Sequence, residues 1–380
     1  MDGRVLQRRS KMKNRIYLDY NASTPIDPRV MQEMMDKISV FGNPSSVHAE
    51  GREARSLVDE ARVRVGQLLR CDHRQILFTS GGTEANNLAI LGAARANRSK
   101  GGHVITSAIE HSSVKNAFQA LAAEEFDVTF IEPSSSGIVE AESVADAIRP
   151  DTILISIMLA NNEIGTIQPI SEISRHAKAR GITVHTDAVQ AVGKIPVDIE
   201  SLGVDLFSLS AHKIYGPKGV GSLYYSGSIP LEPLIRGGSH EKGLRAGTEN
   251  VAGIHALGFA AQLLNQEGLP DTLPLRVKLE EGLDKRSFKI ICREASRLPN
   301  TVNFYAPQWT GESLVMAFDL EGIAVSNGSA CSAGIIEPSH VISALGYNDM
   351  IARSVIRVSL GKFTKSEEID MLLRVIDDLL

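Results

Sequence analysis

Between residues 76 and 225 the sequence alternates short apolar runs with segments whose apolar residues recur at helical spacing. The apolar runs predict strands at 76–79, 104–107, 128–131, 153–159, 182–186, 205–209 and, as a hairpin strand, 219–225. The intervening segments predict helices at 83–96, 112–123, 143–148 and 170–180. This alternation implies a mostly parallel sheet with helices on both faces, in which ligands gather at the carboxyl ends of the strands.

The pattern changes after about residue 265. Helices are predicted at 275–285, 313–320, 338–345 and 366–380, and strands at 288–292, 301–304 and 355–360. We therefore predict an α/β protein with a large domain at 16–264 and a smaller α+β domain at 265–380. Residues 1–15 are grouped with the small domain, although their basic sequence without an apolar core also fits a disordered leader.

Composition excludes several classes of protein. The chain has 380 residues, a net charge of −5 and a pI near 6.1, so no basic surface indicates a nucleic acid or an anionic membrane as partner. It contains no run of about 18 apolar residues. Its three cysteines, Cys71, Cys292 and Cys331, have neither disulfide nor metal-ligand spacing. They fit a reducing compartment, and we expect a cytoplasmic protein without a metal site.

Two of the predicted strands end in residues with complementary chemistry. One apolar strand leads into Ser210, His212 and Lys213, and another ends at Asp187. A dry neighbourhood lowers the pKa of an amine, and a neutral amine can attack an aldehyde. Pyridoxal phosphate needs such a pair, an aspartate for its pyridinium nitrogen and a lysine for its Schiff base. The alternative is an aspartate that caps a loop and a solvated lysine.

Three other segments also follow predicted strands. Residues 80–84, Ser-Gly-Gly-Thr-Glu, open a helix and could bind a phosphate, or they could form a plain turn with Thr83 as the helix N-cap. His111 could stack on a planar cofactor and transfer protons, or it could cap a helix. The amides at 161–165 could bond a phenolic oxygen, or they could form a polar turn.

Polar side chains in the second half of the chain extend this set. The glycine-rich segment 237–248 could reach a phosphate, possibly that of a partner subunit, or could be a flexible surface loop. Cys331 lies among glycine, serine and alanine at 326–334, which favours an exposed nucleophile over an incidental thiol. Arg357 shares one face of a predicted strand with Val355, where it could bind a carboxylate or be an edge-strand surface charge.

Six motifs together resemble class I cysteine desulfurases, which are pyridoxal-phosphate enzymes of fold type I in the aminotransferase class V family. They are Tyr-Leu-Asp-Tyr-Asn-Ala-Ser-Thr-Pro at 17–25, Phe-Gly-Asn-Pro at 41–44, Asn-Asn-Glu-Ile-Gly at 161–165, Ser-Ala-His-Lys-Ile-Tyr-Gly-Pro-Lys-Gly at 210–219, Arg-Ala-Gly-Thr at 245–248 and Gly-Ser-Ala-Cys at 328–331. The resemblance extends from Tyr17 to the C-terminus, and the last motif separates this family from other enzymes of the same fold.

The resemblance implies a role for each candidate residue. Those that would bind the cofactor are Lys213 (Schiff base), Asp187 (pyridine nitrogen), Gln190 (phenolic side), His111 (ring stacking and proton transfer), and Gly82, Thr83, Ser210 and His212 (phosphate), with Thr248 contributed by the other subunit of a homodimer. Asn162 and Arg357 would bind the substrate carboxylate and its surroundings. Cys331 would accept the sulfur.

The implied reaction converts L-cysteine to L-alanine and leaves a persulfide on Cys331 for an acceptor protein. That acceptor would serve iron–sulfur cluster assembly or tRNA thiolation. The loop reads Ser-Asn-Gly-Ser-Ala-Cys-Ser-Ala-Gly where the family favours Ser-Ser-Gly-Ser-Ala-Cys-Thr-Ser, and the chain ends at Leu380 where housekeeping relatives carry a longer tail for docking the scaffold. Both departures bear on the acceptor. Another pyridoxal-phosphate enzyme, such as an aminotransferase or a selenocysteine lyase, and a sulfur-relay protein without turnover are the competing interpretations.

Overall fold

A computed structural model describes residues 15–305, 309–327 and 338–379, so Cys331 lies outside the described residues. The strands are β1 (Ile16–Tyr17), β2 (Ile76–Thr79), β3 (His103–Ser107), β4 (Asp127–Ile131), β5 (Thr152–Ser156), β6 (Thr183–Asp187), β7 (Leu206–Ser210), β8 (Gly221–Tyr225), β9 (Lys289–Ile290), β10 (Thr301–Tyr305), β11 (Ile323–Ala324), β12 (Ser326–Asn327) and β13 (Val355–Ser359). The α-helices are α1 (Pro28–Lys37), α2 (Ala49–Leu69), α3 (Gly82–Ala96), α4 (Ser112–Ala123), α5 (Ala141–Asp146), α6 (Ile170–Lys178), α7 (Ile199–Leu202), α8 (Val251–Glu267), α9 (Leu273–Asp284), α10 (Gly311–Leu320), α11 (His340–Ala344), α12 (Asp349–Ala352) and α13 (Ser366–Leu379).

The central sheet has seven strands in the order β2–β8–β7–β6–β5–β3–β4. The five strands from β7 to β4 run parallel, whereas β8 is antiparallel to both of its neighbours. The predicted parallel sheet and its hairpin strand are therefore confirmed. Because parallel strands end at the same edge, the side chains that follow β6 and β7 lie close together.

Helices cover both faces of this sheet because successive strand residues point to opposite sides. Leu154 and Leu206 pack in one apolar core with α3 and α4, while the adjacent Ile155 and Phe207 pack in a second core on the other face. All four of these side chains are fully buried. Strands that are apolar on both faces are typical of a parallel sheet enclosed by helices.

A four-stranded antiparallel sheet, β12–β13–β10–β9, forms the C-terminal part of the fold. Its apolar core includes Phe304, Phe318 and Val358. The beginning of the chain joins this part, because β1 pairs with β11 and Leu18 packs in the same core.

Two long helices, α2 and α8, were not predicted from the sequence. Helix α8 buries residues around most of its circumference, so it lacks the periodic pattern of a surface helix. It packs against α2 at Gly258, where a Cβ would lie 2.4 Å from the Ala61 Cα.

The predicted strand 153–159 ends earlier, at Ser156, although the apolar residues after it are also buried. No helix in the described ranges is long and apolar enough to span a membrane.

Candidate active site

A cavity of about 330 Å³ opens where β6 and β7 end. Its lining residues are Asn21, Ala22, Gly82, Thr83, Asn86, His111, Ser113, Met158, Asn162, Asp187, Val189, Gln190, Ser210, His212, Lys213 and Arg357. The structure thus brings together every described residue of the predicted site except Thr248, which is exposed and outside this lining. The lining residues that the sequence did not single out include Asn21, Asn86 and Ser113.

Asp187 is the last residue of β6, and its carboxylate is buried and held at both oxygens. Its Oδ2 accepts a 2.7 Å hydrogen bond from Asn86 Nδ2, and its Oδ1 accepts a 2.9 Å bond from the backbone N–H of Val189. These donors fix the carboxylate in one orientation at the cavity wall. A carboxylate with this setting is suited to pair with a protonated ring nitrogen.

Lys213 lies in the short turn that continues β7 into the cavity. Its Nζ donates to the backbone carbonyl of Ala22 at 2.9 Å and also to that of Asn21. The neighbouring His212 contacts Ser23 through Nδ1 at 3.2 Å, and burial, followed by the charge of Lys213, lowers the pKa of His212 to about 4. His212 is therefore neutral at physiological pH and acts there through hydrogen bonds.

Asn21 forms hydrogen bonds both to residues that follow β6 of the central sheet and to β10 of the C-terminal sheet. Its side chain accepts from Lys194 Nζ at 2.9 Å and donates to Thr301 Oγ1 at 2.9 Å, and its backbone carbonyl accepts from Gln190 Nε2 at 2.9 Å. Burial, and secondly the positive charge of Lys213, places the pKa of Lys194 well below its usual range. Apart from its position four residues after Gln190, nothing in the sequence pointed to Lys194.

Arg357 occupies the middle of β13, between β12 and β10, and its side chain is 3% exposed. The alternative of an edge-strand surface charge is therefore wrong. One terminal nitrogen donates to Asp19 Oδ1 at 2.7 Å and the other to the backbone carbonyl of Asn162 at 3.0 Å. Its Nε is buried without a hydrogen-bond partner among the described residues. The side chain lines the cavity, where its positive charge suits an anionic ligand.

The first turn of α3 forms the end of the cavity that suits a phosphate. The N-cap of α3 is Gly81, not Thr83, and no side chain caps this helix terminus. A Cβ on Gly82 would lie 2.7 Å from Val189 Cγ2, so glycine keeps this space open. The uncapped terminus of a 15-residue helix offers N–H groups and a favourable dipole to an anion.

Ion pairs anchor the glycine-rich segment that carries Thr248. Arg245 Nε donates to Glu84 at 2.8 Å, beside the phosphate turn, and Glu241 accepts from Arg62 Nη2 at 2.6 Å. His240 contacts Glu249 at 2.9 Å. These contacts do not support the alternative of a flexible surface loop.

The chemistry of these residues fits pyridoxal phosphate. An amine and a fixed carboxylate line the same cavity, and an uncapped helix terminus with an open glycine position lies beside them. They match the aldehyde, the ring nitrogen and the phosphate of that cofactor.

Comparison with known proteins identifies the family. Residues 16–372 match the aminotransferase class-V family. A curated relative, cysteine desulfurase IscS of Dictyoglomus turgidum, is 45% identical over 97% of this chain and 95% of its own length. A solved NifS-like protein is 37% identical with a TM-score of 0.90, over 96% of this chain and 99% of its own. A solved structure of SspA in complex with cysteine is 38% identical with a TM-score of 0.82, over 92% of this chain and all of its own. The chain therefore belongs to the aminotransferase class-V family and, within it, to the cysteine desulfurases, which are pyridoxal-phosphate-dependent enzymes of fold type I.

Proposed function

We propose that this chain removes sulfur from L-cysteine at the cavity around Lys213 and passes it on through Cys331. The observation that carries the proposal is the meeting of Lys213 and Asp187, at the ends of adjacent parallel strands, in one cavity with Arg357. The similarity to SspA, which was solved with cysteine bound, supports the choice of substrate.

Different cavity residues would bind different parts of the cofactor. Lys213 would hold its aldehyde carbon, Asp187 its pyridine nitrogen and Gln190 its phenolic oxygen, with His111 stacked on the ring. The phosphate would be held by Gly82, Thr83, Ser210 and His212. When bound, pyridoxal phosphate supplies an electron-withdrawing ring that acidifies the α-carbon of an attached amino acid.

Side chains of this protein bind the substrate, transfer its proton and accept its sulfur. Arg357 and Asn162 bind the substrate carboxylate and so orient the α-carbon toward Lys213. The amine of Lys213 would act as a general base that removes the α-proton and returns it to the α-carbon before the product leaves. The Cys331 thiolate then attacks the substrate sulfur. The new S–S bond forms as the carbon–sulfur bond breaks, its electron pair stays with the carbon, and protonation there gives alanine and a persulfide.

We also propose a homodimer in which Thr248 of one subunit completes the phosphate site of the other. Thr248 is exposed and does not line the cavity of its own chain. Five large apolar side chains between residues 31 and 47 are at least half exposed, among them Phe41 at 86% and Val47 at 88%. Exposed apolar clusters of this kind mark protein interfaces.

The sulfur acceptor is proposed to be a protein that serves iron–sulfur cluster assembly or tRNA thiolation. Cys331 must be a free thiol before each turnover, so a reducing cytoplasm suits the reaction, and the cysteines of the sequence have no disulfide spacing.

Single substitutions test the proposal. The purified protein should be yellow, and should release one alanine per sulfide from L-cysteine in the presence of a reducing thiol. Lys213→Ala should lose both turnover and the imine absorbance band. Cys331→Ala should lose sulfide release, whereas the matched variant Cys71→Ala should retain it. Sulfide release by Cys331→Ala at the unmodified rate would contradict the persulfide step and favour another type of lyase.

A further inference from the structure

The imidazole of His111 caps helix α4 through one ring nitrogen. His111 Nδ1 accepts a hydrogen bond from the backbone N–H of Ser113 at 3.1 Å, and it lies 2.8 Å from Ser113 Oγ. A backbone N–H can only donate, so Nδ1 must present its lone pair. In the neutral ring the proton is therefore on Nε2.

Asn86 determines the direction of the next hydrogen bond. The side-chain amide of Asn86 lies between Asp187 and Ser113, with Nδ2 2.7 Å from Asp187 Oδ2 and 2.9 Å from Ser113 Oγ. The flipped amide would direct its carbonyl oxygen at the carboxylate of Asp187, so Nδ2 must be the atom that faces it. Both N–H bonds of Nδ2 are then used, and Ser113 Oγ accepts one of them.

The hydroxyl proton of Ser113 consequently points at His111. Because Oγ accepts from Asn86, its own O–H is available to donate across the 2.8 Å to Nδ1. Nδ1 thus accepts from both the backbone and the side chain of Ser113. Asn86 and Ser113 are themselves buried, at 1% and 8% exposure, so water competes little for these bonds.

We infer that Asn86 and Ser113 are positioning residues that hold His111 as the Nε2–H tautomer, so that the ring presents a hydrogen-bond donor to the substrate. The inference rests on the proposed function insofar as the cavity takes an amino acid. Protonation of the ring would occupy Nδ1 and break two hydrogen bonds. Burial also favours the neutral ring, because it lowers the pKa of His111. The charge of Asp187 raises this pKa, and the charge of Lys213 lowers it.

Nitrogen NMR of the holoenzyme labelled with ¹⁵N-histidine tests this inference. The His111 resonances are assigned by their loss in His111→Gln. We expect a neutral ring at pH 7.5, with the proton on Nε2 and an unprotonated Nδ1. A proton on Nδ1, or on both nitrogens, would overturn the inference. The same spectrum of the cofactor-free protein separates this result from a failure of the proposed function, because the bonds involve protein atoms only.

Substitutions test the two positioning residues. Ser113→Ala keeps the backbone N–H but removes the hydroxyl, and the ratio of the two tautomers should shift toward Nδ1–H by about tenfold, as expected for one hydrogen bond. Ser113→Thr should restore the ratio. Asn86→Leu should shift it in the same direction as Ser113→Ala, and Ser112→Ala is the matched control. If Ser113→Ala and Asn86→Leu both leave the His111 spectrum unchanged, the positioning role is wrong.

Discussion

Replacing Arg357 with lysine separates binding of the substrate carboxylate from the other functions of this side chain. The guanidinium reaches Asp19 and the Asn162 carbonyl with its two terminal nitrogens and has a third N–H donor, Nε, without a described partner. A single ammonium cannot satisfy both partners and a carboxylate in the same geometry. Loss of one charge-assisted hydrogen bond costs about 1.5–3 kcal/mol, which corresponds to roughly a tenfold to 150-fold loss of affinity.

The assay is an absorbance titration of the cofactor band with two amines. L-cysteine carries the carboxylate, and cysteamine has the same amine and thiol without it. We expect Arg357→Lys to weaken L-cysteine binding roughly tenfold to 150-fold and to change the dissociation constant of cysteamine by no more than about twofold. Combining the substitution with removal of the carboxylate forms a double cycle, which isolates the interaction between Arg357 and the carboxylate. Arg353→Lys, on the exposed turn before β13, is the control. An equal loss for both amines would refute carboxylate binding and assign Arg357 to the fold.

Three further substitutions test other parts of the account. Burial raises the pKa of Glu110 from 4.5 to about 8. The folded protein therefore retains a proton that the unfolded chain loses, and stability falls as pH rises between these values. Glu110→Gln should remove this loss. Between pH 5 and 8 the free energy of unfolding of this variant, measured with urea, should therefore rise by on the order of 2–4 kcal/mol relative to that of the unsubstituted protein. A difference between the two proteins that stays constant with pH would contradict a buried, protonated Glu110. Gly82→Ala should weaken pyridoxal phosphate binding in equilibrium dialysis, and the double variant with Val189→Ala should recover it, because the clash is with Val189 Cγ2 at 2.7 Å; no recovery would place the defect elsewhere. Phe41→Asp should lower the mass in sedimentation equilibrium toward that of one chain, and an unchanged mass would exclude this surface from the dimer.

The sequence predicted the parts of the site that follow from strand order. Asp187 and Lys213 each follow an apolar run, and parallel strands bring such ends together whatever the surrounding packing. Asn86 and Ser113 could not be predicted in this way. Each lies on a helix, so the contact between them, and that of Asn86 with Asp187, depends on how α3 and α4 pack against β6. Lys194 was missed for a related reason, because its partner Asn21 is more than 170 positions away.

The fold shows the same division between local and tertiary information. Helix α4 was predicted with the bounds that the structure has, because its apolar residues fall on one face and a histidine caps it. Helix α8 is apolar on nearly all sides, since it packs between other elements, and therefore gives no periodic signal.

Mass spectrometry of the protein after incubation with L-cysteine tests the central claim most directly. We predict one added sulfur on the peptide that contains Cys331, formed in equal amount to the alanine released and absent from Lys213→Ala. Alanine release with an unmodified Cys331 peptide, or a sulfur mapped to Cys71 or Cys292, would contradict the account.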